Sequence, residues 1–319
     1  MNNPTNPKVV VSVLNWNNYQ DTIDCLNSLL TLDYSNFEII VVDNASIDDS
    51  VRQIKNAFPD ISLIESPSNE GYGAGNELAL QDALKKNADL FWVVNNDAVV
   101  YKNTLSALVK AYQRHGEQIF GSIILDDLED ERIQFAGGFL VNSAGELDEN
   151  SIYNPFAGQK LSEVEDELQE TWVSEVYGSS FLVPISLVRK HGFIDSSFFL
   201  YNEEVDYCYR LRKNHKIKTI IVPSSKIWHK ESQSFQKSKD MKYVSIYYRS
   251  RSDFRFMKAH NDFKFPISAG LSYLSYFIKY AIKKLVFNRS DKELYFSQLG
   301  AFHAYLNIKG RYVVPEKFL

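Results

Sequence analysis

Two short stretches hold the residue types from which catalysis is made. FFLYNEEVDYCYRLRK (198–213) sets Glu203, Glu204 and Asp206 within four residues, directly after an aromatic run. Carboxylates this close raise one another's pKa, which suits one of them to act as a general base. A charge run is ordinarily a solvated helix face, but Phe199, Leu200, Val205, Tyr207 and Cys208 flank this one and argue against full exposure. The second stretch, LFWVVNND (90–97), is an apolar run that ends in Asn95, Asn96 and Asp97. One carboxylate together with a substrate diphosphate is how Mg²⁺ or Mn²⁺ is usually held, with water in the other positions. Read alone, the triplet is equally well a turn.

Three further places carry polar side chains where a ligand would meet them. Asp43 closes the run EIIVVDN (38–44). A carboxylate at the carboxyl end of a parallel strand can accept from a ribose hydroxyl or a base N–H, while Ser46 and Asp48 can cap the helix that follows. NEGYGAGN (69–76) has glycines that let backbone approach a ligand closely. It is not the dinucleotide fingerprint, which follows the first strand, and no Walker A sequence exists. His229, in IWHKES (227–232), stands just past a strand-like run. A lone histidine is more often structural than a ligand.

The elements that must position these groups alternate. VVVSVLN (9–15), EIIVVDN, ISLIES (61–66) and LFWVVNND read as strands. Between them, helices are expected over 20–32, after ASIDDS (45–50) through about Ala57, and over 75–86, the last after a Gly-rich turn. Strand–helix alternation predicts a parallel sheet with right-handed crossovers. Further on, 102–115 and SLVRKHGF (186–193) read as helices. QIFGSIILD (118–126), RIQFAGGFL (132–140), WVSEVYGSSFLVP (172–184) and KIKTIIVP (216–223) read as strands, and 142–170 as a polar, acidic loop region. Helices are expected over 241–260 and 267–287. The second has Leu271, Leu274, Ile278, Ala281, Ile282 and Leu285 in one stripe beside Lys279, Lys283 and Lys284. That pattern fits an interfacial amphipathic helix, or one packed on the body.

Composition agrees with a soluble globular chain of 319 residues, 45% apolar and 24% charged. The net charge of −5 hides an asymmetry: residues 241–319 carry 14 Lys and Arg against 5 Asp and Glu. A basic, aromatic tail on an acidic body suggests an anionic lipid surface as partner; nucleic acid fits less well, since no binding motif accompanies the charge. Cys25 and Cys208 lack metal-ligand spacing and are expected as free buried thiols of a reducing compartment. The polar start shows no signal-peptide pattern, and no run of 18 apolar residues predicts a span. A cytoplasmic protein, peripheral on the inner face of the membrane, is the expectation.

In order the chain reads VVVSVLNWNN, VVDNASIDDS, NEGYGAGN, VVNNDAVV, GSSFLVP, GFIDSSFFLYNEEVDYCYR and IWHK, then YYRSRSDF. This succession resembles family 2 inverting glycosyltransferases of the GT-A fold, in particular the rhamnosyltransferase-like branch. The resemblance covers roughly residues 8–260. It implies a Rossmann-like, mostly parallel sheet flanked by helices. The catalytic domain would span 1–240, with a nucleotide-binding half over about 1–100 and an acceptor half over about 101–240. Residues 241–319 would be a helical, basic extension.

The resemblance also implies roles. Asp43 looks like the acid that binds nucleobase or ribose, with Asn15, Ser46, Asn69, Gly71 and Asn76 lining the donor. Asn95-Asn96-Asp97 occupies the place of the family's D-x-D metal motif; Asn95 departs from it and leaves most of the metal binding to Asp97. His229 resembles a further metal ligand, and an imidazole would tilt preference towards Mn²⁺ over Mg²⁺. Glu204 matches the catalytic base, with Glu203 and Asp206 as carboxylates around the acceptor hydroxyl. Arg251 matches an arginine near the donor diphosphate. The implied reaction is inverting transfer of a sugar, first dTDP-L-rhamnose, to a lipid-linked oligosaccharide in O-antigen or capsule synthesis. UDP-galactofuranose and other UDP-hexoses are alternatives, as is a non-catalytic nucleotide- or glycan-binding relative. A nucleotidyltransferase would place a Lys- and Gly-rich loop after the first strand, and none is present.

Overall fold

A computed structural model describes residues 6–126, 129–140, 152–230, 240–260 and 291–318, with positions 278, 281 and 282. The chain forms two compact units. One comprises 1–69, 74–194 and 204–232; the other comprises 70–73, 195–203 and 233–319.

The first unit begins with β-branched runs that pack on both faces. β1 (Val9–Asn15), β2 (Phe37–Asp43), β3 (Ser62–Glu65) and β4 (Leu90–Asn95) alternate with α1 (Tyr19–Leu29), α2 (Ser50–Ala57) and α3 (Tyr72–Lys85). β5 (Ala98–Val100), α4 (Thr104–His115), β6 (Ile119–Leu125) and β7 (Ile133–Phe135) follow. Next come β8 (Phe139–Leu140), β9 (Ile152–Tyr153), α5 (Leu161–Val164), β10 (Thr171–Val173), β11 (Ser180–Pro184) and α6 (Ile185–His191). α7 (Glu203–His215) and β12 (Thr219–His229) complete it.

The main sheet runs β10-β12-β6-β11-β4-β1-β2-β3, with β5 added to β12 and β7 to β6. β3, β2, β1 and β4 are parallel, and so are β6 and β12. β11 is antiparallel to both β4 and β6, so the sheet is mixed at its middle. Register decides what reaches the carboxyl edge: Asn15 lies opposite Asp43, and Leu14 opposite Asn95. A one-residue slip would turn those side chains to the other face.

The core lies between the sheet and the apolar stripes of α1 (Cys25, Leu26, Leu29) and α4 (Leu105, Leu108, Tyr112). At its centre Trp92 is fully enclosed and donates from Nε1 to Ser180 Oγ at 3.0 Å. Ser180 meets Ser122 at 2.7 Å and Ser122 meets Ser225 at 2.8 Å, so with Trp92 a buried hydrogen-bonded chain crosses four strands.

Several expectations change. The Gly-rich turn is part of α3, which begins at Tyr72. A side chain at Gly75 would put Cβ 2.4 Å from Leu14 Cδ1, so this glycine lets the helix lie close on β1. WVSEVYGSSFLVP is two strands broken by a turn over 174–179, and RIQFAGGFL is likewise two. The break in the second falls at Gly137, whose φ of +105° favours glycine and whose Cβ would meet Val173. From 161 the acidic region is not all loop, because α5 buries Leu161 and Val164. The helix expected over 267–287, apart from Ile278, Ala281 and Ile282, and the loop positions 142–151 lie outside the described residues.

The second unit contains α8 (Met241–Ala259) and α9 (Lys292–Tyr305), which pack together. Gly300 permits this, since a Cβ there would stand 2.3 Å from the Tyr247 carbonyl oxygen. Tyr247 Oη and His303 Nδ1 meet across the pair at 2.8 Å.

Candidate active site

At the carboxyl edge of β1 and β2, Asp43 is buried and saturated by short contacts. Its Oδ1 accepts from Asn15 Nδ2 at 2.7 Å and from Ser46 Oγ at 2.6 Å, and its Oδ2 accepts from the Ser46 N–H at 2.9 Å. Asn15 Oδ1 accepts in turn from Thr22 Oγ1 at 2.8 Å, which ties the strand end to α1. Three of the expected donor residues therefore form one network. Ser46 closes on Asp43 and does not cap α2; Asp48 accepts from the Ser50 N–H.

Asn95 and Asp97 meet β12 because β5 forms a hairpin-like ladder with it, pairing Ala98 with His229. His229 Nε2 stands 3.1 Å from Asp97 Oδ1 and 3.3 Å from Asn95 Nδ2. Its Nδ1 faces Gln134 Oε1 at 3.1 Å. With the amide oxygen as placed, Nδ1 is the donor, which leaves the Nε2 lone pair directed at the carboxylate. Two acceptors facing each other at this distance need a cation between them, either a proton or a metal ion. The donor set of imidazole, carboxylate and a histidine-orienting amide fits a divalent transition ion. Burial opposes the charge on Asp97, but the hydrogen bond and charge of His229 outweigh it and hold the carboxyl below its ordinary range. Beside it, Lys230 bridges Asp21 and Asp24 at 2.8 Å each and fixes this end of β12 to α1. Asn96 turns to the start of α1, donating to Thr22 Oγ1 at 3.0 Å.

The three clustered carboxylates have separate fates. Glu203 is enclosed. Asp206 is enclosed and paired with Arg210 Nε at 2.6 Å, so this acid is occupied within the fold. Glu204 alone stays partly exposed, with Oε1 3.4 Å from the Gly178 N–H of the 174–179 turn. Burial raises its pKa above the ordinary carboxylate range despite the opposing main-chain hydrogen bonds.

Other expected donor residues are placed differently. Asn69 is buried and accepts from Asn44 Nδ2 at 3.1 Å. Asn76 is fully enclosed on α3 and accepts from Ser12 Oγ in mid-strand, which removes it from the carboxyl edge. In the second unit, Gly71 has φ +93° and lies against the main chain of Phe199, where a Cβ would come within 2.2 Å of the carbonyl oxygen. Arg251 is fully enclosed; its terminal nitrogens donate to the carbonyls of Gly310 and Phe198 at 2.7 and 2.6 Å, and its guanidinium lies over Tyr248. These contacts hold its own unit together.

Gln134, Glu175 and Lys230 escaped the sequence reading. Lys230 follows His229 directly, and Glu175 is the lone charge in an otherwise apolar or small run. Gln134 had no signal.

Residues 9–162 match the family model described as glycosyl transferase family 2. The chain carries a family 2 glycosyltransferase domain. Among known proteins, the chain is 28% identical over 181 residues to the low-salt glycan biosynthesis hexosyltransferase Agl10 of Haloferax volcanii, covering 56% of this chain and 54% of that one. It is 22% identical over 199 residues to the GalNAc(5)-diNAcBac-PP-undecaprenol beta-1,3-glucosyltransferase of Campylobacter jejuni, covering 61% and 64%. The chain thus spans less than two thirds of the length of either relative. Its fold is that of the mannosyltransferase PcManGT from Pyrobaculum calidifontis, solved with GDP-Man and Mn²⁺ (TM-score 0.56, 16% identity, 94% of this chain and 74% of that one). It is also similar to GalNAc-T7, solved with UDP, GalNAc and Mn²⁺ (TM-score 0.51, 15% identity, 71% and 44%). This is the GT-A fold, as expected. Among the described residues no helix is long and apolar enough to cross a membrane.

Proposed function

We propose that the chain is an inverting glycosyltransferase that moves a sugar from a nucleotide diphosphate sugar to an acceptor hydroxyl. The observation that carries the reading is the Asp97–His229 pair, an acid and an imidazole set 3.1 Å apart beside the strand ends that hold Asp43. Asp97 and His229 would hold Mn²⁺ or Mg²⁺, and the similar solved structures named above contain Mn²⁺ with a nucleotide or nucleotide sugar. Such an ion supplies positive charge where the leaving diphosphate gains negative charge.

The chain's own groups do the rest. Glu204 accepts the proton of the acceptor hydroxyl, an alcohol being a poor nucleophile at neutral pH. The acceptor oxygen bonds the anomeric carbon as the bond to the diphosphate breaks, and one base with direct displacement implies inversion. The Asp43–Asn15–Ser46 network presents a rigid polar edge to the nucleoside.

On the sequence resemblance, dTDP-L-rhamnose is the first donor, with UDP-galactofuranose, UDP-galactose and UDP-glucose as rivals; the relatives' names, a hexosyltransferase and a glucosyltransferase, support a hexose. The acceptor is a lipid-diphosphate-linked oligosaccharide of bacterial O-antigen or capsule synthesis, a reading supported by the undecaprenol diphosphate in one relative's name. Peripheral contact with the inner face of the membrane is supported by the basic last quarter and by exposed Tyr295, Phe302, Tyr305 and Leu306 on or next to α9. A second reading, nucleotide binding without turnover, rests on Asn95, an amide in the place of the first metal acid. The test is nucleotide diphosphate binding with and without Mn²⁺: Asp97→Ala should abolish the metal-dependent part. Equal metal dependence in the variant would remove Asp97 from the ion.

A further inference from the structure

Glu175 lies in the 174–179 turn and has no assigned role, yet it is a carboxyl only 3% exposed. Its position is tightly set. A bridge joins Glu175 to Gly138, the Ser174 N–H donates to the Gly138 carbonyl at 2.8 Å, and a Cβ on Gly138 would come within 2.6 Å of Glu175 Oε1. Its other oxygen, Oε2, is buried and meets no hydrogen-bond partner among the described residues. The Gly178 N–H of the same turn points to Glu204 Oε1 at 3.4 Å, so the turn that carries Glu175 also contacts the start of α7.

An ionised carboxylate buried this way is costly, and the interacting charge is another carboxylate, that of Glu204. Nearby, the Cys208 thiol on α7 is pushed up to about 12 by burial, and Arg212 donates to Ser174 Oγ at 3.2 Å and lies over the rings of Trp172 and Tyr209. Burial first, and then the charge of Glu204, push the Glu175 carboxyl up to about 8.

We propose that Glu175 is the proton-holding partner of Glu204, a positioning residue that keeps the pair's one resting proton so that Glu204 stays ionised as the base. The inference rests on Glu204 being that base. The pair then carries one proton before transfer and two after it. The acceptor O–H bond breaks, a Glu204 O–H bond forms, and the electron pair of the broken anomeric C–O bond leaves with the diphosphate. The pair afterwards returns one proton to water. A second charge beside Glu204 at rest would raise its proton affinity and draw a proton onto the base itself.

The test uses the full chain and two readouts. Infrared spectroscopy at neutral pH should show the C=O stretch of a protonated carboxyl that Glu175→Gln removes and Glu204→Gln retains. In the wild type that band should vanish with a midpoint near the pH of about 8 given by the raised carboxyl. The pH–rate profile of Glu175→Gln, whose amide mimics the protonated acid, should lose the alkaline inflection that wild type shows. A band missing from the wild type, a band that survives Glu175→Gln, or superimposable pH profiles would each overturn the proposal. Full turnover by Glu204→Gln would instead sink the base assignment, while the band still reports where the resting proton sits.

Discussion

Gln134→Leu is a sharp probe of the metal reading, because it leaves both proposed ligands in place. In the structure Gln134 Oε1 faces His229 Nδ1 at 3.1 Å and so selects the tautomer that frees Nε2 for Asp97. Leucine keeps most of the volume but cannot accept that proton. Loss of an outer-shell partner of a metal-bound histidine typically lowers affinity about 10–100-fold, or about 1.4–2.7 kcal/mol. The assay is calorimetric titration of a nucleotide diphosphate, chosen as the tightest wild-type binder among UDP, dTDP and GDP, with Mn²⁺ and with chelator. Affinity with Mn²⁺ should fall within that range, while the metal-free affinity stays put. An unchanged Mn²⁺ dependence would refute the tautomer argument. An equal fall with and without metal would show that Gln134 shapes the nucleotide site rather than the ion.

Ser180→Ala should destabilise the fold by about 1–3 kcal/mol in urea denaturation, because it strands the buried Trp92 N–H and breaks the hydroxyl chain to Ser122. The raised Glu175 carboxyl has a pH signature in stability. The folded state binds the proton more tightly than the unfolded one, so stability present below the ordinary value of 4.5 is lost as pH rises to about 8. Urea midpoints of wild type should therefore fall relative to Glu175→Gln across that window, and parallel curves would count against it. Replacing Tyr295, Phe302 and Tyr305 together with serine should reduce flotation with anionic vesicles without shifting the thermal midpoint, since all three are exposed. Undiminished flotation would move the membrane contact elsewhere.

The parallel half of the sheet was legible because its strands are β-branched runs punctuated by polar ends. VVVSVLN and EIIVVDN announce both their burial and their edge. Asp43, Asp97, Glu204 and His229 stood out by residue type and place, but their roles came from the family resemblance. Their partners did not stand out, because the pairings depend on tertiary register. Gln134 comes from β7, 95 residues from His229, in a run with no motif. The antiparallel insertion of β11 was equally invisible, since a buried strand reads the same in either direction. Asn76 and Arg251 are the reverse case. Both looked like ligand contacts because they are polar and near motifs, and in the fold Asn76 secures a helix to mid-strand and Arg251 satisfies two main-chain carbonyls. The 174–179 turn was hidden inside an apparent strand because its residues suit extended backbone; only Gly178 and the lone Glu175 hinted at it.

The central claim is that Glu204 takes the acceptor's proton while Asp97 and His229 serve the donor's diphosphate. The most direct measurement compares Glu204→Gln with wild type for both donor affinity and single-turnover sugar transfer in Mn²⁺, using the nucleotide sugar that gives wild-type turnover. Donor affinity should be unchanged and the transfer rate should fall about 10²–10⁴-fold, the usual range for loss of a general base. Transfer at the wild-type rate would contradict the account and remove Glu204 as the base.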